Sequence, residues 1–367
     1  MLKRPSKLQT TIDFEKNGKQ TGYIRLPHSV HRSAYGWLPI PLACIKNGSG
    51  VTVLLISGTH GDEYEGQVAL SKLINQLKPE EIQGRVIIVP MANFPAAKAG
   101  LRTSPIDEQY LNRIYPGDPD GSPSFMIAHY IESQLFSIAD YSLDLHSGGS
   151  SLHYVPSVVA TLGENKERMR KKKELMKAFA TPYSFFFHLE HAEGTTNHAA
   201  LRNNVVLIGT ELGGSGTVSP ECLQICERGI NGFLQACGVI QVKTQIPATQ
   251  TRMLQATDFS YYCYAMEEGL FEPVKGLGDD GMKGEVAGYT HFPETPGKQS
   301  KPIYFEADGV VVCKRIPARV IRGDCVFQLG CDLQSNFNLK AMKSLDLFCK
   351  CKDSINSLPS NTKTVHL

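Results

Sequence analysis

The sequence lacks an apolar run that approaches the ~20 residues of a membrane-spanning helix. It also lacks an excess of charge of either sign, because 38 lysines and arginines nearly balance 36 aspartates and glutamates. A protein that binds nucleic acid normally carries a strongly basic surface, which such a balance does not favour. We therefore predict neither a membrane nor a nucleic-acid partner.

A secretory signal and paired metal-binding cysteines are also absent. The basic residues near the amino terminus are not followed by the apolar segment that a signal peptide requires. The ten cysteines include no Cys-x-x-Cys pair, and Cys349 and Cys351 have no histidine close to them. Scattered cysteines of this kind are typical of reduced thiols, so we predict a cytoplasmic protein.

Between residues 51 and 237, short apolar runs alternate with stretches of helical periodicity. Strands are predicted at 51–56, 85–89, 139–145 and 205–210, and helices at 65–76, 124–138, 164–180 and 221–237. This alternation is typical of an α/β fold in which a mixed central sheet has helices on both faces. Functional sites in such sheets lie beyond the carboxyl ends of the strands.

The regions on either side of this alternation have a different pattern. Residues 10–45 read as extended segments that are interrupted at 17–19 and at the two prolines of 39–41. After about residue 247, short apolar runs separated by glycine and proline predict a small all-β domain. The predicted organisation is a catalytic α/β domain at 1–245, a small C-terminal β domain at 246–338 and a polar tail at 339–367.

Two histidines and a glutamate follow the predicted strands. His60 and Glu63 come just after the strand at 51–56, and their spacing lets both side chains address one point. His146 follows the strand at 139–145 and would supply a remote third ligand. Two imidazoles and one carboxylate are the ligand set of a catalytic zinc with an open position, although cobalt, iron and manganese accept the same ligands. The sequence predicts one zinc ion per chain.

Further polar residues suit chemistry at such a centre. Glu211 lies between an apolar run and a glycine-rich segment, where a general base could reach a metal-activated water. Asp144 is two residues before His146 on the same strand face, which suits a carboxylate that orients a ligand imidazole. Arg102 could stabilise an oxyanion or bind a carboxylate. Together these residues predict a zinc hydrolase.

Four segments resemble the succinylglutamate desuccinylase/aspartoacylase family of zinc carboxypeptidase-like enzymes. They are His-Gly-Asp-Glu at 60–63, Asn-Arg at 112–113, Asp-Leu-His-Ser at 144–147 and Glu-Leu-Gly-Gly at 211–214. The resemblance extends over roughly residues 45–335. Within the family, residues 102–107 and 111–113 look most like the N-alpha-acetyl-L-2,4-diaminobutyrate deacetylase branch.

The resemblance implies a zinc carboxypeptidase-like fold whose small β domain covers the active site. His60, Glu63 and His146 would bind zinc. Glu211 would act as the general base and then pass the proton to the leaving amine, while Arg102 would stabilise the oxyanion. The reaction implied is removal of an acetyl, succinyl or similar short acyl group from an N-acyl amino acid.

Asn112 and Arg113 would hold the substrate carboxylate. Tyr110 departs from the deacetylase branch, which has asparagine at that position, and it predicts a changed pocket wall. Two alternatives stay open: a zinc carboxypeptidase that trims short peptides, and a non-catalytic relative that binds acyl amino acids. We also predict a homodimer.

Overall fold

The computed structural model describes residues 4–163, 165–187, 193–240 and 250–333. The strands in these ranges are β1 (Gln9–Thr10), β2 (Gly18–Pro27), β3 (Trp37–Asn47), β4 (Thr52–Ser57), β5 (Gly84–Val89), β6 (Tyr141–Leu145), β7 (Leu152–Thr161), β8 (Tyr183–Phe187), β9 (Val206–Gly214), β10 (Arg252–Gln255), β11 (Tyr262–Tyr264), β12 (Gly269–Pro273), β13 (Asp280–Gly281), β14 (Val286–His291), β15 (Lys301–Tyr304), β16 (Gly309–Arg315), β17 (Arg319–Val320) and β18 (Cys325–Asp332). The helices are α1 (Glu65–Gln76), α2 (Phe94–Ala99), α3 (Pro123–Tyr130), α4 (Lys166–Phe179), α5 (Thr196–Arg202) and α6 (Pro220–Ala236).

A large mixed sheet forms the centre of the described structure. Its strands follow the order β1-β2-β3-β5-β4-β6-β9-β7-β8-β10-β18-β16-β13, and β11 pairs with β18. Strands β5, β4, β6 and β9 run parallel to one another, whereas β3 and β7 join this group in antiparallel orientation. Every residue of β4 and β5 is buried, as expected of strands covered on both faces. The parallel group places the ends of β4, β6 and β9 at one edge.

Helices cover both faces of this sheet. On one face, α6 packs against α1 and α4. On the other face, buried residues of α3 and α5 join a core with side chains from β2 to β5. The start of α6 is defined locally, because the Ser219 hydroxyl accepts a hydrogen bond from the Cys222 N–H at 3.3 Å and Pro220 occupies the first turn. The predicted mixed sheet with helices is thus confirmed.

The interruption predicted at 39–41 is wrong, since β3 continues through both prolines. Along this stretch β3 pairs with β2, while its pairing with β5 begins only at Ala43. Proline cannot donate a ladder hydrogen bond, but a segment with one unpaired side tolerates it. The position of the neighbouring strand, which the sequence pattern does not reveal, decides this point.

A β-rich region follows α6, as predicted. Strands β10, β18, β16 and β13 extend the central sheet, while β15, β14, β12 and β17 form a separate four-stranded sheet. The described residues up to Asp332 form one compact unit. The boundary predicted at 245–246 and the tail predicted at 339–367 both lie outside the described residues, so they stay predictions. No helix in the described ranges has the length and apolarity to cross a membrane.

Helix α4 carries a buried lysine whose ionisation should affect stability. Lys172 is 6% exposed, and burial, together with the nearby Arg168, lowers its pKa from 10.5 to about 8. Between pH 8 and 10.5 the unfolded chain still binds a proton that the folded chain has released. The free energy of unfolding therefore rises with pH, by up to ~3 kcal/mol. Urea unfolding should therefore show that the free energy of unfolding increases more between pH 7 and pH 9.5 in the wild type than in Lys172→Met. Parallel pH profiles of the two proteins would contradict this expectation.

Candidate metal and active site

The three predicted metal ligands converge at the carboxyl edge of the parallel strands. His60 and Glu63 lie in the loop after β4, and His146 directly follows β6. The Nδ1 atom of His60 lies 2.5 Å from Oε1 of Glu63, and Nδ1 of His146 lies 2.9 Å from Oε2 of the same carboxylate. The candidate ligand atoms of the three residues lie within 4.8 Å of one another.

The charges in this cluster suit a bound cation. Burial raises the pKa of the Glu63 carboxyl, but the imidazoles of His60 and His146 outweigh burial and lower it below the usual range. Burial opposes a charged His146, yet Asp144 and Glu63 raise its pKa well above the ordinary value. The Nδ1 atoms of both histidines and the Glu63 carboxylate oxygens thus lie together at a point where positive charge is favoured. This donor set fits zinc.

Close packing fixes the loop that carries His60 and Glu63. A Cβ atom at Gly61 would lie 2.1 Å from the carbonyl carbon of Ala96, so no larger residue fits there. Oδ2 of Asp62 accepts hydrogen bonds from the Ser150 N–H and hydroxyl at 2.8 and 2.7 Å. The loop after β4 is thereby tied to the loop after β6, which holds the local and remote ligands in register.

Asp144 lies directly behind His146. Its Oδ2 atom is 3.0 Å from Nε2 of His146, on the ring edge opposite the ligand cluster. The same carboxylate accepts hydrogen bonds from the hydroxyls of Thr59 at 3.2 Å and Thr196 at 2.7 Å. A carboxylate held in this way fixes the ring orientation and directs the other nitrogen towards a metal.

Glu211 lies inside β9, since this strand continues to Gly214 and does not end at residue 210 as predicted. Burial raises the pKa of its carboxyl well above the usual value, and the nearby Glu63 adds to the shift. Its Oε2 atom is buried and has no hydrogen-bond partner among the described residues. An unsatisfied buried carboxylate with a raised pKa is typical of a group that exchanges protons.

Tyr110 joins two arginines and a ligand histidine. Its ring stacks on His60 with centroids 5.1 Å apart, and the guanidinium carbons of Arg102 and Arg113 lie 4.9 and 4.6 Å from the ring centroid. Arg102 also donates a hydrogen bond to the Tyr110 hydroxyl and lies 3.3 Å from Oε1 of Glu63. The aromatic ring thus places both cations beside the predicted metal ligands, an arrangement that the sequence pattern does not reveal.

All of the predicted site residues except Glu63 line one cavity of about 330 Å³. Asn112 lines it, and the Asn112 side-chain oxygen accepts hydrogen bonds from the N–H and hydroxyl of Thr196, which leaves the amide N–H₂ for a ligand. The cavity is lined by His60, Arg102, Tyr110, Asn112, Arg113, Asp144, His146, Tyr154, Val159, Ala160, Thr161, Phe187, Thr195, Asn197, Leu207, Gly209 and Glu211. Several of these residues come from β7, β8 and the start of α5, which the sequence pattern did not predict. The β-branched and aromatic residues between Tyr154 and Thr161 were the available signal for that strand.

Comparison with known proteins identifies the family of this chain. Residues 49–237 match the catalytic domain model of the succinylglutamate desuccinylase/aspartoacylase family. The chain is 42% identical over 323 residues to N-alpha-acetyl-L-2,4-diaminobutyric acid deacetylase from Halomonas elongata, a match that covers 88% of this chain and 94% of that protein.

Solved structures agree as well. The product-bound ectoine utilization protein EutE (DoeB) from Ruegeria pomeroyi has a TM-score of 0.86 and 36% identity, with 89% of this chain and 99% of that chain covered. A succinylglutamate desuccinylase/aspartoacylase from Rhodobacter sphaeroides has a TM-score of 0.84 and 38% identity, with 89% and 100% covered. With the sequence motifs, the fold and both kinds of comparison in agreement, this chain belongs to the succinylglutamate desuccinylase/aspartoacylase family.

Proposed function

We propose that the protein is a zinc-dependent amidohydrolase that removes a short acyl group from an N-acyl amino acid. The observation that carries the proposal is the convergence of His60, Glu63 and His146 at a cavity that also contains Glu211. Membership of the family supports the reaction class. The similarity to an N-alpha-acetyl-L-2,4-diaminobutyric acid deacetylase favours acetyl as the acyl group and a diamino acid as the product.

His60, Glu63 and His146 would hold the zinc ion in a zinc carboxypeptidase-like arrangement. The bound ion would supply Lewis-acid chemistry that lowers the pKa of water and polarises the acyl carbonyl. Asp144 keeps the His146 ring oriented for binding, through the 3.0 Å contact with Nε2. The fit of the donor set and the buried position of Glu63 support this assignment.

Glu211 acts as the general base and then as the general acid. It takes a proton from the attacking water as the new bond to the acyl carbon forms, and it returns the proton to the amine nitrogen as the amide C–N bond breaks. Burial raises the pKa of the Glu211 carboxyl, which makes its carboxylate a stronger base towards the attacking water. The products are a free amine and a short-chain carboxylate.

The two arginines take different parts. Arg102, beside Glu63 and 43% exposed on its side chain, stabilises negative charge on the acyl oxygen in the transition state. Arg113 and the Asn112 amide hold the carboxylate of the amino acid, since a guanidinium and an amide donor match its two oxygens. Tyr110 lines the cavity between these two arginines, whose guanidinium groups both lie over its ring.

A substrate panel tests the proposal. Zinc-loaded protein is incubated with N-alpha-acetyl-2,4-diaminobutyrate, N-acetylaspartate, N-succinylglutamate and a short peptide, and release of free amine is measured. We expect turnover of an acylated amino acid, best with the acetylated diamino acid, and loss of turnover after chelation. Arg113→Leu should raise KM more than it lowers kcat, because it removes binding of a group remote from the reacting bond.

Two other results would replace the proposal with an alternative. Cleavage of the peptide alone would indicate a zinc carboxypeptidase. Stoichiometric zinc and measurable binding of acyl amino acids without any turnover would indicate a non-catalytic relative.

A further inference from the structure

The cavity of about 330 Å³ that contains His60, His146 and Glu211 is called the metal cavity below. A second cavity of about 240 Å³ lies next to it, between α4, α5 and the end of β7. Thr161, Asn197 and Leu207 line both cavities. The Thr161 hydroxyl lies 3.5 Å from the side-chain oxygen of Asn197, so these two polar side chains form part of the wall between them. The second cavity is otherwise mainly apolar, with Met169, Leu201 and Val205 among its lining residues.

Two cations of α4 line this cavity. Lys172 is 6% exposed and donates hydrogen bonds to the carbonyl and hydroxyl oxygens of Thr161 at 2.9 and 2.8 Å. An ammonium group has three N–H donors, so the Thr161 contacts use two of them. Arg168 donates to the Val205 carbonyl and to the Asn204 side chain. Within the described ranges, neither cation forms an ion pair with a carboxylate.

A buried ammonium group without an anionic partner is costly in free energy. Carbonyl and hydroxyl oxygens compensate only part of the lost hydration, as the lowered pKa of Lys172 indicates. The start of α4 adds to the positive potential, because Asn165 caps this helix and also lines the cavity. A small anion in the cavity would therefore gain from Lys172, from Arg168 and from the helix start.

We propose that this second cavity binds a short-chain carboxylate, with the carboxyl group at Lys172 and the alkyl chain against the apolar lining of α4 and α5. A mainly apolar cavity of this size favours an organic acid over an inorganic anion. The site adjoins the cavity in which the reaction would release such an acid, because Thr161, Asn197 and Leu207 line both. That link rests on the proposed function, whereas the binding itself does not require turnover.

The test uses 4,4,4-trifluorobutyrate as the probe and ¹⁹F NMR of the full-length, zinc-loaded protein as the measurement. We expect a signal from bound probe that remains after chelation of the metal. The affinity for the probe should fall at least tenfold in Lys172→Met. Lys177→Met removes an exposed lysine from the same helix and should bind the probe as the wild type does. Equal affinity in Lys172→Met and the wild type would overturn the proposal.

A second variant covers the case in which Lys172→Met does not fold. Ala200 is 1% exposed and lines the second cavity from α5. Ala200→Leu should therefore fill part of this cavity and weaken binding of the probe, while Lys172 and Arg168 stay unchanged. A bound signal that disappears entirely on chelation would place the probe at the metal centre and would also overturn the proposal. Because the test measures binding, absence of turnover in the substrate panel would leave its outcome unaffected.

Discussion

Glu211→Gln should lower kcat by roughly 10²–10⁴-fold while the protein keeps its zinc and its fold, because the change removes the general base but preserves the side-chain shape. Glu211 is partly buried in β9 and lines the cavity at the predicted metal site, yet it is not one of the three clustered ligands. The measurement is steady-state turnover of the best substrate, together with zinc content by mass spectrometry. KM should change much less than kcat, since the glutamate acts on the reacting atoms.

A matched variant separates catalysis from the general effect of removing a buried acid. Glu65 is fully buried two residues after Glu63, and its Oε1 atom accepts a hydrogen bond from the Ser219 N–H at 3.2 Å. Glu65→Gln preserves that acceptor, so its turnover should stay within a few-fold of the wild type. A Glu211→Gln protein with near-normal turnover would show that another group moves the proton.

Loss of the metal should abolish activity, and the substitution Glu63→Ala should itself cause the protein to lose its zinc. Glu63 is 3% exposed and contacts both His60 and His146, so its removal leaves two imidazoles facing one another without the intervening carboxylate. Changing a residue that hydrogen-bonds to a metal ligand lowers metal affinity by up to ~100-fold. Because Glu63 would be a ligand itself, we expect zinc affinity to fall by more than ~100-fold in Glu63→Ala. Zinc retained after dialysis and turnover with and without added zinc are the measurements.

Asp144→Asn gives the graded comparison for this prediction. It alters the contact behind His146 and preserves all three ligands, so zinc affinity or activity should fall by roughly 10–100-fold. Excess zinc should restore more activity to Asp144→Asn than to Glu63→Ala. If Glu63→Ala binds one zinc ion as tightly as the wild type, Glu63 is not a ligand and the metal assignment fails.

The sequence by itself determined the features that depend on nearby residues. Apolar periodicity gave α1 at the predicted residues 65–76, and α6 differs from its predicted range by one residue at each end. The spacing of His60 and Glu63 brings two candidate ligands together within one loop. His146 was placed correctly at the carboxyl end of β6 because parallel strands end at a common edge.

Only the tertiary structure decided the features that depend on contacts between distant segments. Tyr110 stacks on His60, and Thr196 holds Asn112 although the two residues lie far apart in the sequence. The neighbouring strands decide whether β3 can continue through its prolines and whether β9 extends past Glu211. The partly shared wall between the metal cavity and the Lys172 cavity likewise requires β7, α4 and α5 to meet. Such contacts follow from packing in three dimensions, and local periodicity contains no record of which segments become neighbours.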